Sequence, residues 1–212
     1  MTRTRVKVCG LTRAEDAAWA LACGADWLGF LVRGEGPRAI APERAREIVA
    51  GLEGAVAVAV MVGVTPDEAL ALATRAGAAR VQLHRVDPRG WPADFPLPCA
   101  FAVGVDGEGR LTDPEPAEPH LALLDRAHPT LAGGTGRAFP WAAARALAAR
   151  RAVMLAGGLD GDNVAEAIRA ARPFGVDASS RLESSPGVKD RERLRRFVAA
   201  AREADERADA AR

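Results

Sequence analysis

Two side chains in this sequence stand where proton-transfer chemistry needs them. Cys9 lies at the end of the apolar run 6–10, and Asp125 ends the run Leu121-Ala122-Leu123-Leu124-Asp125. A thiol can act as a base or a nucleophile if its pKa is lowered, and a nearby ammonium group is one means of lowering it. Lys7 is placed for that task, because side chains two apart on a strand point the same way while Val6 and Val8 take the opposite face. The plainer alternatives are a structural cysteine and a carboxylate that caps a loop.

A second group of residues suits an anion. Gly157-Gly158 follows an apolar run and leads through Asp160-Gly161-Asp162-Asn163 towards a helix, while Asp177-Ala178-Ser179-Ser180 ends another run. Glycines let backbone N–H groups approach a phosphate, although a glycine pair is otherwise simply a turn. Gly133-Gly134-Thr135-Gly136-Arg137 is too rich in glycine for a core segment. It is either a cover for a bound phosphosugar or a linker.

These residues must be positioned by the elements around them. Eight short apolar runs, at 6–10, 27–32, 56–63, 79–84, 99–105, 121–127, 152–158 and 174–180, read as strands. Helical patterns at 13–23, 42–52, 66–76, 141–150, 162–172 and 191–209 alternate with them. Thr65-Pro66-Asp67-Glu68 is a helix start, since threonine can cap and proline fits the first helical position. Strands that are apolar almost throughout imply a parallel sheet covered on both faces.

Eight such units predict an α/β protein, a single (β/α)8 TIM barrel over residues 1–212. In that architecture functional residues collect at the carboxyl ends of the strands, and the loops after strands seven and eight hold phosphate. The proline-rich segments 87–98 and 106–119 predict short or missing helices in the fourth and fifth units. The charged tail 202–212 is expected to fray from the last helix. An open doubly wound sheet would also alternate strands and helices, but it should carry a glycine-rich phosphate loop after its first strand, and Cys9-Gly10-Leu11-Thr12 is not one. In a closed barrel the eighth strand meets the first, so an inward Asp177 is predicted to pair with Lys7, each charge relieving the burial cost of the other.

Composition narrows the partner. With 49% hydrophobic residues over 212 positions, one sizeable core can form. The net charge is +1, from 29 basic and 28 acidic residues, which leaves no electrostatic footprint for nucleic acid or an anionic membrane. No apolar run approaches the ~20 residues of a membrane span, and the amino terminus lacks a signal-peptide pattern. The expectation is a cytoplasmic protein whose partner is a small molecule, with no obligatory protein partner. Cys9, Cys23 and Cys99 have neither the number nor the spacing of a disulfide framework or a zinc site. Only two lysines occur, Lys7 and Lys189, against 27 arginines, and both sit inside candidate motifs, which predicts a specific need for lysine there.

Taken in order, a series of short segments resembles the phosphoribosylanthranilate isomerases over essentially the whole chain. The segments are Lys7-Val8-Cys9-Gly10-Leu11-Thr12, Gly29-Phe30, Pro37-Arg38, Val81-Gln82-Leu83-His84, Leu123-Leu124-Asp125, Gly133-Gly134-Thr135-Gly136, Leu155-Ala156-Gly157-Gly158-Leu159, Asn163-Val164 and Gly187-Val188-Lys189-Asp190. The resemblance implies an Amadori rearrangement in tryptophan biosynthesis, converting N-(5-phosphoribosyl)anthranilate to 1-(2-carboxyphenylamino)-1-deoxyribulose 5-phosphate without metal or organic cofactor. It implies that Asp125 is the general acid at the ring oxygen and Cys9 the general base at the second sugar carbon. Arg38 would bind the anthranilate carboxylate, a task suited to a planar bidentate donor. Gln82 and His84 would position the substrate, as would Lys7, Gly134 and Asp177, and Gly157, Gly158, Ser179, Ser180 and Arg181 would hold the phosphate. Strands one and six are not neighbours in a barrel, so their ends face each other across the mouth with room for a sugar ring.

The chain departs from the family pattern at a few positions. Arg181 stands where a glycine usually follows the serines, and a positive φ there would strain arginine by about 1 kcal/mol. Arg85 replaces a glycine after the histidine, Pro140 an acidic residue before Trp141, and Gly34-Glu35-Gly36 a more typical loop; these fall in loops, where variation is cheap. Two rival readings are a barrel acting on another phosphosugar and a catalytically silent barrel used for binding. The first lacks a second Gly-Gly phosphate loop, and the second leaves Cys9 and Asp125 without a purpose.

Overall fold

The computed structural model describes residues 3–126 and 140–210. Eight parallel strands close into a barrel in sequence order: β1 (Arg5–Val8), β2 (Trp27–Arg33), β3 (Ala57–Val62), β4 (Arg80–His84), β5 (Cys99–Val105), β6 (Leu121–Arg126), β7 (Val153–Leu155) and β8 (Gly175–Ala178). Closure is made by β8 against β1, with Lys7 opposite Asp177. The helices are α1 (Ala14–Ala22), α2 (Pro42–Ala50), α3 (Pro66–Ala76), α4 (Ala144–Ala148), α5 (Val164–Ala171) and α6 (Arg191–Ala210). Among the described residues no helix is long and apolar enough to cross a membrane.

Alternation along the strands divides the apolar residues into two cores. Val6, Val8, Phe30, Leu124, Leu155 and Val176 face outwards and pack with helix residues such as Leu194 and Phe197. Trp27, Val58, Ala100, Leu121, Leu123, Met154 and Ala156 fill the barrel itself. Its floor is closed by Trp27, whose ring lies 5.9 Å from Phe174 and 4.3 Å beneath the Arg80 guanidinium. The barrel is therefore a filled scaffold that opens at the carboxyl ends of its strands.

Local chemistry accounts for element boundaries. Thr65 and Glu68 form a reciprocal capping box on α3, Pro66 occupies its first turn, and Gly77 ends it in the left-handed region. The fourth unit has only a 3-10 turn, Pro88–Gly90, and no helix lies between β5 and β6, as the prolines predict. The helix expected over 141–150 is instead a 3-10 turn, Trp141–Ala143, followed by the five-residue α4, and no side chain caps either start. β7 stops three residues before its expected end because Gly157 and Gly158 have φ of 84° and 78°. An antiparallel hairpin, β9 (Glu183–Ser185) and β10 (Val188–Lys189), follows the barrel; its polar strands carry no hydrophobic alternation to predict it.

The tail differs from expectation at its start. α6 continues to Ala210, with Arg202 donating to the carbonyls of Thr4 and Gly24 and Asp205 accepting from the Thr4 backbone and hydroxyl. Those bonds dock the start of the segment, Arg202 and Asp205, against the barrel floor.

Candidate active site

The barrel mouth holds a pocket of about 650 Å³. Its wall shows the strand alternation directly: Leu31 and Arg33 from β2, Val60 and Val62 from β3, Gln82 and His84 from β4, Leu123 and Asp125 from β6. Cys9, Arg38, Asp177, Ser179 and Ser180 complete the part that was anticipated. Eight of the expected site residues thus share one cavity. Lys7 lies beneath it, and Gly157, Gly158 and Arg181 are not among the described residues that line it. The Gly133–Arg137 stretch, with the substrate contact expected at Gly134, lies outside the described residues.

The predicted buried ion pair is present, with Lys7 Nζ 2.9 Å from Asp177 Oδ1 and both side chains almost wholly buried. Burial alone would pull the Lys7 ammonium down, but Asp177 and Cys9 hold it above its usual value. Gly29 on β2 makes room for this cluster. A Cβ at that position would fall 2.9 Å from Lys7 Nζ and 3.0 Å from Cys9 Sγ, so any side chain there would displace them.

At Cys9 the condition for a lowered pKa is not met. Lys7 does favour its thiolate, yet burial outweighs the ammonium and Asp177 opposes it, so the thiol is pushed up from its usual value instead of down. The resting residue is a thiol.

Asp125 accepts the Arg126 backbone N–H at 2.8 Å. Burial in the pocket wall still pushes its carboxyl up to about 6, helped slightly by the like charge of Asp177. Gly157 explains how the acid is enclosed: with φ at 84° the chain after β7 turns so close that a Cβ would lie 2.7 Å from Asp125 Oδ1. The glycine expected to serve the phosphate shapes the wall around the Asp125 carboxyl.

His84 is pushed down to about 4, by burial first and then by Lys7 and Arg85. It is a neutral imidazole near pH 7, with Gln82 Nε2 at 2.9 Å from its Nε2. Gln82 Oε1 is buried with no hydrogen-bond partner among the described residues, so the pair is oriented by packing as well as by bonding.

The two arginine departures exchange their significance. Arg181 sits inside a 3-10 turn, Ser180–Leu182, without a positive φ, and the strain considered for it is absent. Its Nη1 meets Asp160 Oδ2 at 2.7 Å, tying the loop after β7 to the loop after β8. Arg85, expected to be a cheap change, adopts φ of 53° at the pocket rim. Left-handed backbone at a residue with a Cβ costs about 1–2 kcal/mol, so the strain lies beside His84.

Sequence reasoning missed Glu183 entirely and gave Lys189 no role. Both are buried under Arg38, whose Nε and Nη2 meet Glu183 Oε1 and Oε2 at 2.9 and 2.7 Å. The scarcity of lysine pointed to Lys189; nothing in the polar stretch Glu183-Ser184-Ser185 distinguishes its glutamate from a surface residue.

Comparison with known proteins agrees with this geometry. A family model described as N-(5'phosphoribosyl)anthranilate (PRA) isomerase matches residues 6–200. An N-(5'-phosphoribosyl)anthranilate isomerase of Rubrobacter xylanophilus is 41% identical, covering 93% of this chain and 98% of the relative. The crystal structure of phosphoribosyl anthranilate isomerase from Thermus thermophilus superposes with a TM-score of 0.78 at 37% identity, over 93% of this chain and 98% of that one. A further similar structure, at TM-score 0.76 and 32% identity over 93% of this chain and 98% of that one, is a phosphoribosyl anthranilate isomerase in complex with reduced 1-(o-carboxyphenylamino)-1-deoxyribulose 5-phosphate.

Proposed function

The chain belongs to the N-(5'-phosphoribosyl)anthranilate isomerase family, and from that premise we propose how its residues carry the reaction. The protein isomerises N-(5'-phosphoribosyl)anthranilate to 1-(2-carboxyphenylamino)-1-deoxyribulose 5-phosphate, a step of tryptophan biosynthesis. Its partner is this small phosphoribosyl compound, handled in the cytoplasm, and the chemistry calls for no nucleic acid, membrane or second protein. The observation that carries the mechanistic reading is the buried Asp125 carboxyl, poised at about 6 in the same pocket as Cys9.

Ring opening begins when the anilino nitrogen pushes its lone pair towards C1 and the ring C1–O bond breaks. The departing oxygen takes the Asp125 proton and becomes the C4 hydroxyl, leaving an iminium at C1. The C2 hydrogen then leaves as a proton to Cys9, giving an enolamine. Transfer of the enol proton to C1 produces the C2 ketone, so the sugar gains and loses no atoms. One turnover moves one proton from Asp125 to Cys9, which solvent restores.

Energetics set the competent fraction. With the acid near 6 and the thiol above its usual value, a single proton shared by the two residues sits mostly on Cys9. Only a minority of molecules hold Asp125 protonated and Cys9 ionised together. Lys7, held charged by Asp177, favours the thiolate as it forms. Ser179 and Ser180 line the phosphate end. Gly157, Gly158 and Arg181 frame it through the loops that the Arg181–Asp160 pair joins. Gln82 and His84 orient the sugar, and Arg38 receives the aryl carboxylate.

The test is turnover of the purified protein on N-(5'-phosphoribosyl)anthranilate, followed by loss of substrate fluorescence and chromatographic identification of the aminoketose. Conversion to that single product is expected. No conversion by folded protein would overturn the assignment.

A further inference from the structure

Beneath Arg38 lies a cluster that the chemistry above does not use. Glu183 is 4% exposed in its side chain and Lys189 1%, and their charged atoms are 2.9 Å apart. Lys189 Nζ also donates to the Ser179 carbonyl at 3.1 Å, and its backbone N–H donates to Asp16 Oδ2 at 3.0 Å, fixing the hairpin against α1. Arg193 donates to the Glu183 carbonyl at 2.6 Å, which anchors the other strand. The carboxylate beneath Arg38 is therefore held in place from several sides.

Charge counting shows what this arrangement does. Arg38 and Lys189 both contact Glu183, so the three side chains carry two positive charges and one negative charge. An Arg38–Glu183 pair alone would be neutral and would have little attraction for another anion. With Lys189 present, one positive charge is left over, and of the three residues only Arg38 opens onto the pocket. Guanidinium has five N–H donors. Glu183 takes one from Nε and one from Nη2, which leaves the Nη1 donors without a hydrogen bond among the described residues.

We propose that Glu183 and Lys189 are positioning residues for substrate recognition. Glu183 fixes the orientation of the Arg38 guanidinium, and Lys189 balances Glu183 so that Arg38 keeps its charge for the aryl carboxylate. Burial alone would raise the Glu183 pKa, but Arg38 and Lys189 outweigh it and hold it below the usual carboxylate range; burial draws the Lys189 ammonium below its usual value, opposed by the Glu183 carboxylate that it contacts. The inference rests on the reading that Arg38 receives the carboxylate.

The experiment compares two substrates in the same protein sample: the phosphoribosyl adduct of anthranilate and that of aniline, which lacks the carboxylate. The readout is the ratio of their kcat/KM values, which does not change with the fraction of protein that is folded. Arg38→Ala should abolish the preference for the carboxylated substrate. Glu183→Gln should lower the ratio roughly tenfold or more, chiefly through KM, because a guanidinium without its fixed edge loses more of its charge-assisted contact than the uncancelled Lys189 charge restores. Glu183→Asp, which keeps the charge balance with Lys189, should fall between wild type and Glu183→Gln. Lys189→Gln should also lower the ratio, because Glu183 then cancels Arg38. An unchanged ratio in Glu183→Gln and Lys189→Gln, with the ratio lost in Arg38→Ala, would overturn the proposal alone. A preference that survives Arg38→Ala would overturn it together with the assignment of Arg38.

Discussion

The floor and the mouth of the barrel each bury an aspartate, and the two respond in opposite ways. At the floor, Asp26 accepts the Val6 backbone N–H at 2.8 Å and pairs with Arg202 at 2.7 Å, Arg5 at 3.2 Å and Arg3. Burial opposes its charge, but these partners outweigh it and hold the carboxyl below its usual range. At the mouth, Asp125 has one backbone donor among the described residues, and the charge acting on it is another carboxylate, so burial prevails and lifts it to about 6. Partnered, the residue type is a fastener for the chain ends; buried with a single donor among the described residues, it is a proton donor near neutral pH.

The largest way to sharpen this contrast is through catalysis. Asp125→Asn should lower kcat by about 10²–10⁴, the usual worth of general acid or base catalysis, and Cys9→Ser should lose a similar factor. Asp26→Asn should leave kcat unchanged, since its network contacts neither the pocket nor the reacting atoms. A steady-state comparison of the three variants checks this, and near-wild-type kcat in Asp125→Asn would remove its role.

Stability should move the opposite way. A carboxyl raised from near 4 to about 6 in the folded state penalises folding above its folded pKa. The penalty vanishes below the unfolded value, where both states are protonated. Two units correspond to about 3 kcal/mol at most, so Asp125→Asn should stabilise the protein by roughly 1–3 kcal/mol in alkaline buffer and hardly at all in acid. Asp26 has the depressed pKa, so its contribution exists above the unfolded value and is lost as pH falls. Asp26→Asn should cost roughly 1 kcal/mol near neutrality, a modest figure because solvent screens the arginines around it. Urea unfolding of both variants across pH checks the signs.

The floor was harder to read in the sequence than the mouth. Asp26 sits between helix and strand like any loop carboxylate, and its partners Arg3, Arg5 and Arg202 come from both ends of the chain. The strands and most helices were legible because buried parallel strands are apolar throughout and Thr65-Pro66-Asp67-Glu68 spells its own cap. Cys9, Asp125 and the Lys7–Asp177 pair were legible because polar residues ending apolar runs have few structural uses. Glu183 was not, since its importance arises from a hairpin whose strands lack alternation. The direction of the Cys9 shift was not legible, because a sequence shows the neighbouring lysine but not how deeply the thiol is enclosed.

The most direct test reads both aspartates in one experiment. A titration of carboxyl carbons by NMR on aspartate-labelled protein, with Asp125→Asn and Asp26→Asn supplying the assignments, gives each midpoint in the folded state. The account predicts a midpoint of about 6 for Asp125 and one below the ordinary aspartate range for Asp26. If Asp125 instead titrates with ordinary surface carboxylates near 4, the mouth does not hold a protonated acid for the sugar oxygen, and the central claim is contradicted.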